Sequence, residues 1–99
     1  MFIRIYQINA DKDINHNMFM NFDLNKFDAS SYDCVFEDKI FANNLEDIFI
    51  WGNMGHLTNA RSISVSDVIQ VVDGNDNLKP GYYYCDIFGW SEDITDMFE

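Results

Sequence analysis

The run Phe2-Ile3-Arg4-Ile5-Tyr6-Gln7-Ile8 constrains the fold more than any other stretch of the chain. Ile3, Ile5 and Gln7 fall on one side of an extended backbone, and Phe2, Arg4, Tyr6 and Ile8 on the other. Both sides carry large side chains, so the segment reads as a strand used on two faces, and hence as a central strand. Tyr32 to Phe41 alternates less cleanly. A strand is expected near 33–38, with Cys34, Phe36 and Ile40 facing one way and Val35 and Glu37 the other. Val68-Ile69-Gln70-Val71-Val72 is a further strand. Asp73-Gly74-Asn75-Asp76-Asn77 is a strong turn signal, and Gly81 to Phe88 reads as the antiparallel return.

The clearest helix runs from Leu45 to Trp51. Asn43 or Asn44 caps it, Glu46 and Asp47 suit the dipole of its first turn, and Gly52 is expected to end it. Leu45, Ile48 and Phe49 share one face of this helix. Asn17 is expected to cap a short helix carrying Met18, Phe19 and Phe22. Ser91 is expected to cap a last turn with Ile94, Met97 and Phe98. The fold class is therefore α+β: one small domain, residues 1–99, of about four mostly antiparallel strands with two or three short helices on one face. Ile5, Leu45, Ile48, Phe49, Val68 and Val71 are expected in a single core.

Composition narrows the function classes. A hydrophobic fraction of 47% and an aromatic fraction of 16% supply a packed core. No apolar run approaches the ~20 residues of a membrane span, and Met1-Phe2-Ile3-Arg4 lacks the apolar stretch of a secretory signal. Cys34 and Cys85 are the only cysteines, too few for a secreted disulfide scaffold. The expectation is a cytoplasmic protein of a bacterial host cell with two reduced thiols. Seventeen acids against six bases give a net charge of −11. Lys12, Lys26, Lys39 and Lys79 are the only lysines and Arg4 and Arg61 the only arginines, which excludes direct binding to nucleic acid or to an anionic membrane through a basic patch. A basic partner is favoured instead, since complementary fields raise association rates.

No set of residues reads as a catalytic or cofactor site. Ser62, Ser64, Ser66 and Asp67 resemble a cryptic nucleophile with a carboxylate, but the only nearby base is His56, and Ser and Asp before a strand more often bond local backbone N–H groups. His16, His56, Cys34 and Cys85 lack metal-ligand spacing. The loop 73–77 has its glycine in the wrong place for calcium and no closing Glu. No glycine-rich phosphate loop exists, so no cofactor and no metal is expected. Tyr82, Tyr83 and Tyr84 are consecutive in a strand, so both faces carry tyrosine: one face is core, and the other is either core as well or an exposed contact. Tyr83 and Trp90 are the aromatic candidates for partner binding. Glu92, Asp93, Asp96 and Glu99 are the densest acidic run, with no base among them, and are the charged candidates. At this mass a folded chain exposes roughly 5,800 Å², or one net charge per ~500 Å², about fivefold sparser than duplex DNA. Nucleic-acid mimicry then requires the acids to gather on one face.

The order of motifs resembles the YodL-like domain family of conjugative and other mobile elements. The matching pieces are Ile5-Tyr6-Gln7-Ile8, Phe19-Met20-Asn21-Phe22, Tyr32 with Val35-Phe36, and Leu45-Glu46-Asp47-Ile48-Phe49. The most specific piece is Arg61-Ser62-Ile63-Ser64-Val65-Ser66-Asp67-Val68-Ile69, and Tyr83-Tyr84-Cys85-Asp86 with Phe88-Gly89-Trp90 closes the set. Family members often carry longer loops before the second strand. The resemblance implies a mobile-element setting, often beside anti-restriction modules, and no established catalytic activity. With the acidic charge, it leads to the expectation of a phage or mobile-element counter-defence protein. Such a protein binds a basic, nucleic-acid-binding surface of a host CRISPR effector or restriction enzyme and blocks it. The alternative is a non-inhibitory interaction module of a mobile element.

Overall fold

A computed structural model describes residues 1–58, 60–91 and 94–98. Five strands form one antiparallel sheet: β1 (Phe2–Ile8), β2 (Tyr32–Lys39), β3 (Val68–Val71), β4 (Gly81–Asp86) and β5 (Gly89–Ser91), in the order β2-β1-β3-β4-β5. The helices are α1 (Leu45–Gly52) and α2 (Thr95–Phe98), with single 3₁₀ turns at Ala10–Lys12 and Ala29–Ser31. The class is α+β and β1 is internal, as its two-faced pattern requires. The fifth strand arises because the return from β3 stops at Asp86 and turns at Ile87-Phe88.

The sheet is covered on both faces, not one. Ile3, Ile5, Ile69, Val71, Tyr83 and Cys85 face Ile48 of α1, with Ile40, Ile63 and Leu78 closing that core. Ile8, Val68, Tyr82 and Tyr84 face the opposite way, against Tyr32, Ile94 and the partly buried Tyr6, Met18, Phe22, Phe27, Met97 and Phe98. Val68 thus belongs to a different core from Ile5 and Val71. All three tyrosines of β4 are buried, so of the two readings of this run the core-only one holds and no tyrosine of β4 is an exposed contact. The second core is aromatic: the Phe98 ring lies 4.8 Å from those of Tyr6 and Tyr82 and 5.2 Å from that of Tyr32. Such rings attract one another beyond their area burial. They hold the single turn α2 to the sheet, together with the Ile94 N–H donating to the Tyr82 carbonyl at 3.1 Å.

In β2 the register slips between Ile5 and Tyr6, which pair with Phe36 and Cys34 and leave Val35 unpaired. This bulge reverses the alternation, so Cys34 and Phe36 do not share a face as expected. Val35 and Phe36 both pack on the α1 side, and Cys34 is exposed. Cys34 and Cys85 are three strand spacings apart, about 14 Å, beyond the reach of a disulfide. Burial also pushes the Cys85 thiol up to about 12, which keeps it unreactive. Dithiothreitol is therefore expected to leave the thermal midpoint unchanged; a drop of several degrees would mean a disulfide and a different sheet order.

Helix α1 is capped as its sequence predicts, with the Asn44 side chain accepting from the Asp47 N–H at 2.8 Å. Phe49 is only half-buried, while Ile48 is fully buried. The helix ends at Gly52, which is its last helical residue, and Asn53 caps it. A Cβ on Gly52 would lie 2.3 Å from Cδ1 and 2.7 Å from Cγ1 of buried Ile63. The glycine lets α1 approach the 61–67 segment closely. Gly52→Ala should therefore destabilise the fold by about 1–3 kcal/mol in urea unfolding, despite the better helix propensity of alanine; a stabilised variant would contradict this packing.

Candidate interaction surface

The serine-rich segment packs at the end of β1 marked by Ile8. Asp67 is fully buried. Its Oδ2 accepts from the Ser64 N–H at 2.9 Å and from Gln7 Nε2 at 3.0 Å, while its Oδ1 is buried with no hydrogen-bonding partner. The same Gln7 amide donates to the Arg61 carbonyl at 2.8 Å and accepts from the Arg61 N–H at 3.2 Å. Burial lifts the Asp67 carboxyl to about 6; the Ser64 N–H, Gln7 and the Arg61 charge act in the opposite direction without offsetting it. Gln7 and Asp67 thus clamp the segment onto the central strand. Two of the serines make structural bonds to the backbone. Ser64 Oγ donates to the Ser62 carbonyl at 2.9 Å, and Ser66 Oγ accepts from the Phe19 N–H at 2.9 Å. His56, the base a nucleophile would need, lies flat on Trp51 with ring centroids 4.9 Å apart. A cleft of about 480 Å³ opens beside the clamp, lined in part by Asn9, Asp33, Val35 and Arg61. Its charged groups are engaged: Asp33 with Lys12 at 2.7 Å and Asn9 at 2.8 Å, and the Arg61 guanidinium with the Ile8 carbonyl at 3.2 Å.

Ser66 also fixes a second feature. Residues 13–28, where the apolar spacing of Met18 to Phe22 predicts a helix, contain no helix. Asp13 accepts from the N–H groups of Asn17 and Met18, and the Asn15 and Asn17 side chains donate to the Lys26 carbonyl. Tyr84 donates its hydroxyl to the Met20 carbonyl at 2.9 Å. Phe19 and Ser66, hydrogen-bonded to each other, both have positive φ, 64° and 83°. For non-glycine residues that costs of order 1–3 kcal/mol each, and it persists only where the surroundings impose it. The loop thereby buries Phe22 and Phe27 in the aromatic core and turns Phe19, Met20 and Leu24 outward, 51%, 55% and 66% exposed. The Arg61 guanidinium covers the Phe19 ring at 5.4 Å. Across from the loop, Ile87 and Phe88 in the β4–β5 turn are 55% and 98% exposed.

Of the residues expected to meet a partner, Tyr83 is buried in the α1-side core, with its hydroxyl bonded to the Lys79 carbonyl at 2.7 Å. It is not a surface anchor. Trp90 on β5 is half-buried and pairs with Cys85 across the ladder. Asp96 is exposed on α2. Glu92, Asp93 and Glu99 lie outside the described residues. The other acids do not gather on one face. Asp38, Glu46, Asp47, Asp73 and Asp76 lie toward the Phe2 end of the sheet, and Asp11, Asp13, Asp28, Asp33 and Asp86 toward the Ile8 end. Among the described residues the ion pairs are Arg4–Glu37 and Lys12–Asp33.

The clamped 61–67 segment, the central strand it grips and the aromatic β4 together span the motifs of one family, and the model of the YodL-like domain matches residues 2–95. The chain belongs to that family. In this YodL-like domain the two halves of the match are joined physically, since Gln7 in its first strand grips Asp67 in its most specific segment. No curated protein and no solved structure matches the chain at the significance required. Among the described residues no helix is long and apolar enough to cross a membrane.

The exposed apolar loop escapes sequence reading because Met18, Phe19 and Phe22 mimic helical spacing. The signal that could have found it is the asparagine content: Asn15, Asn17, Asn21 and Asn25 favour turns over helix.

Proposed function

We propose that this YodL-like domain is a non-catalytic binding protein of a phage or mobile element. It acts in counter-defence by occupying a basic, nucleic-acid-binding surface of a host nuclease, a CRISPR effector or a restriction enzyme. The observation that carries the reading is the unneutralised acid. The net charge is −11, and the ion pairs among the described residues engage only Glu37 and Asp33. Asp11, Asp23, Asp38, Glu46, Asp76 and Asp96 are exposed outside those pairs. The surface of 5853 Å² carries about one net charge per ~530 Å², against about one per ~100 Å² on duplex DNA. With the acids divided between the two ends of the sheet, the supported mode is occlusion by a docked acidic protein rather than an imitation of the phosphate lattice.

The test is DNA cleavage by purified restriction endonucleases and CRISPR effectors, titrated with the domain at rising salt. Inhibition that weakens as salt is added supports the reading. Salt-sensitive binding without loss of cleavage would favour the non-inhibitory interaction module. No binding to any of these nucleases would remove the counter-defence reading.

A further inference from the structure

The loop 16–26 and the β4–β5 turn enclose two adjoining concavities. The first, of about 460 Å³, is lined by Phe19, Met20, Leu24 and Ile87 together with Asp23 and Lys26. The second, of about 410 Å³, is lined by Asp86, Phe88, Trp90 and Ser91. Asn21 and Phe22 belong to both, so the two form one groove. We propose that this groove is the docking site for a basic amphipathic segment of a partner protein, its apolar side chains in the groove and its lysines or arginines facing the acids around it.

Two observations point to an occupant of that kind. The groove is built rather than left over. Its loop is tied down by bonds to Asp13, Ser66, Tyr84 and Asp86, with the Phe22 N–H reaching Asp86 at 3.4 Å. Its apolar side chains nonetheless stay exposed, at the cost of positive φ at Phe19 and Ser66. Several large apolar side chains exposed together on a domain this small mark an interaction site. The charge then selects the occupant. Asp86 lines the second concavity with no base among the residues that line it, while Asp23 in the first is matched by Lys26, so the excess of acid lies at the second. A second copy of the chain would bring another −11 to the same place, which the field disfavours; a cationic segment is drawn to it.

This inference rests on the reading of a basic partner, and the test separates the two. The probes are a synthetic leucine–lysine amphipathic peptide and a lysine–glycine peptide of equal charge, titrated into the isotopically labelled domain. The leucine–lysine peptide is expected to bind at least about tenfold more tightly and to shift the amide signals of residues 19–24 and 86–90. Leu24→Ser with Ile87→Ser should reduce its affinity to that of the lysine–glycine peptide. Ile50→Ser with Met54→Ser, at exposed apolar positions on and beyond α1, should not. Both pairs alter exposed side chains, and an unchanged thermal midpoint verifies the fold. Equal affinity for the two peptides, or binding indifferent to the groove variant, would overturn the groove while leaving a charge-driven basic partner standing. Failure of both peptides to bind would overturn both.

Discussion

Replacing Asp67 by asparagine is expected to change the pH dependence of stability more than any other conservative substitution in this domain. Burial raises the Asp67 carboxyl from 3.8 in the unfolded chain to about 6 in the folded one. The folded state therefore holds this proton over a range where the unfolded state has lost it. The associated stability is complete below the unfolded value and falls as pH rises from about 4 to about 6. Above that the loss is constant, of order 3 kcal/mol at about 1.4 kcal/mol per pKa unit. The asparagine side chain can keep the bonds from Ser64 and Gln7 through its oxygen and carries no charge to desolvate. Its amide nitrogen would replace Oδ1, which has no partner, and a buried unpaired group costs roughly 1–3 kcal/mol. The absolute gain at neutral pH is thus smaller than the full ~3 kcal/mol, but the slope must change. The stability of Asp67→Asn minus that of the parent, from urea unfolding, should rise by up to about 3 kcal/mol between about pH 4 and about pH 7. Asp33 and Asp73, whose carboxyls are lowered by Lys12 and by the Phe2 N–H respectively, titrate in the opposite sense; they are common to both chains and cancel. A flat difference would mean that Asp67 is solvated.

Asp67 also marks how far the sequence can be read. Its bond to the Ser64 N–H is local, so a short polar residue before a strand already suggests it. Its burial and its partner Gln7, 60 positions away, follow from β1 and β3 being neighbours, which no local pattern records. β1 is legible because large side chains on both faces leave it few places other than the interior of a sheet. Helix α1 is legible because Asn44, the acids of the first turn and the spacing of Leu45, Ile48 and Phe49 all agree. The loop 13–28 is not, because its apolar spacing looks helical while the bonds that set its backbone come from Ser66, Tyr84 and Asp86. The bulge at Val35 is equally silent, and it puts Cys34 and Phe36 on opposite faces of β2. That loop hides the apolar half of the candidate surface from the sequence, and Tyr83 is misplaced there because both faces of the sheet are covered. The acidic half is legible as charge but not as arrangement.

Charge and groove predict separable effects on partner binding. Changing Glu92, Asp93, Asp96 and Glu99 to the corresponding amides lowers the net charge from −11 to −7. The apolar groove residues Phe19, Leu24 and Ile87 are untouched. Loss of exposed charge acts chiefly on encounter, so association with a basic nuclease should slow by about tenfold or more at low salt, with dissociation little altered. At high salt, where the Debye length shrinks to about 3 Å, variant and parent should converge. Stability should hold or rise, since self-repulsion in an acidic chain is relieved. The groove variant Leu24→Ser with Ile87→Ser should do the reverse, accelerating dissociation at every salt concentration while leaving the encounter rate nearly unchanged. Stopped-flow association and dissociation across a salt series read both effects in one experiment. Charge-neutral amides that leave the association rate and its salt slope unaltered would show that the C-terminal acids are a solvated face, and the groove would then carry recognition by itself.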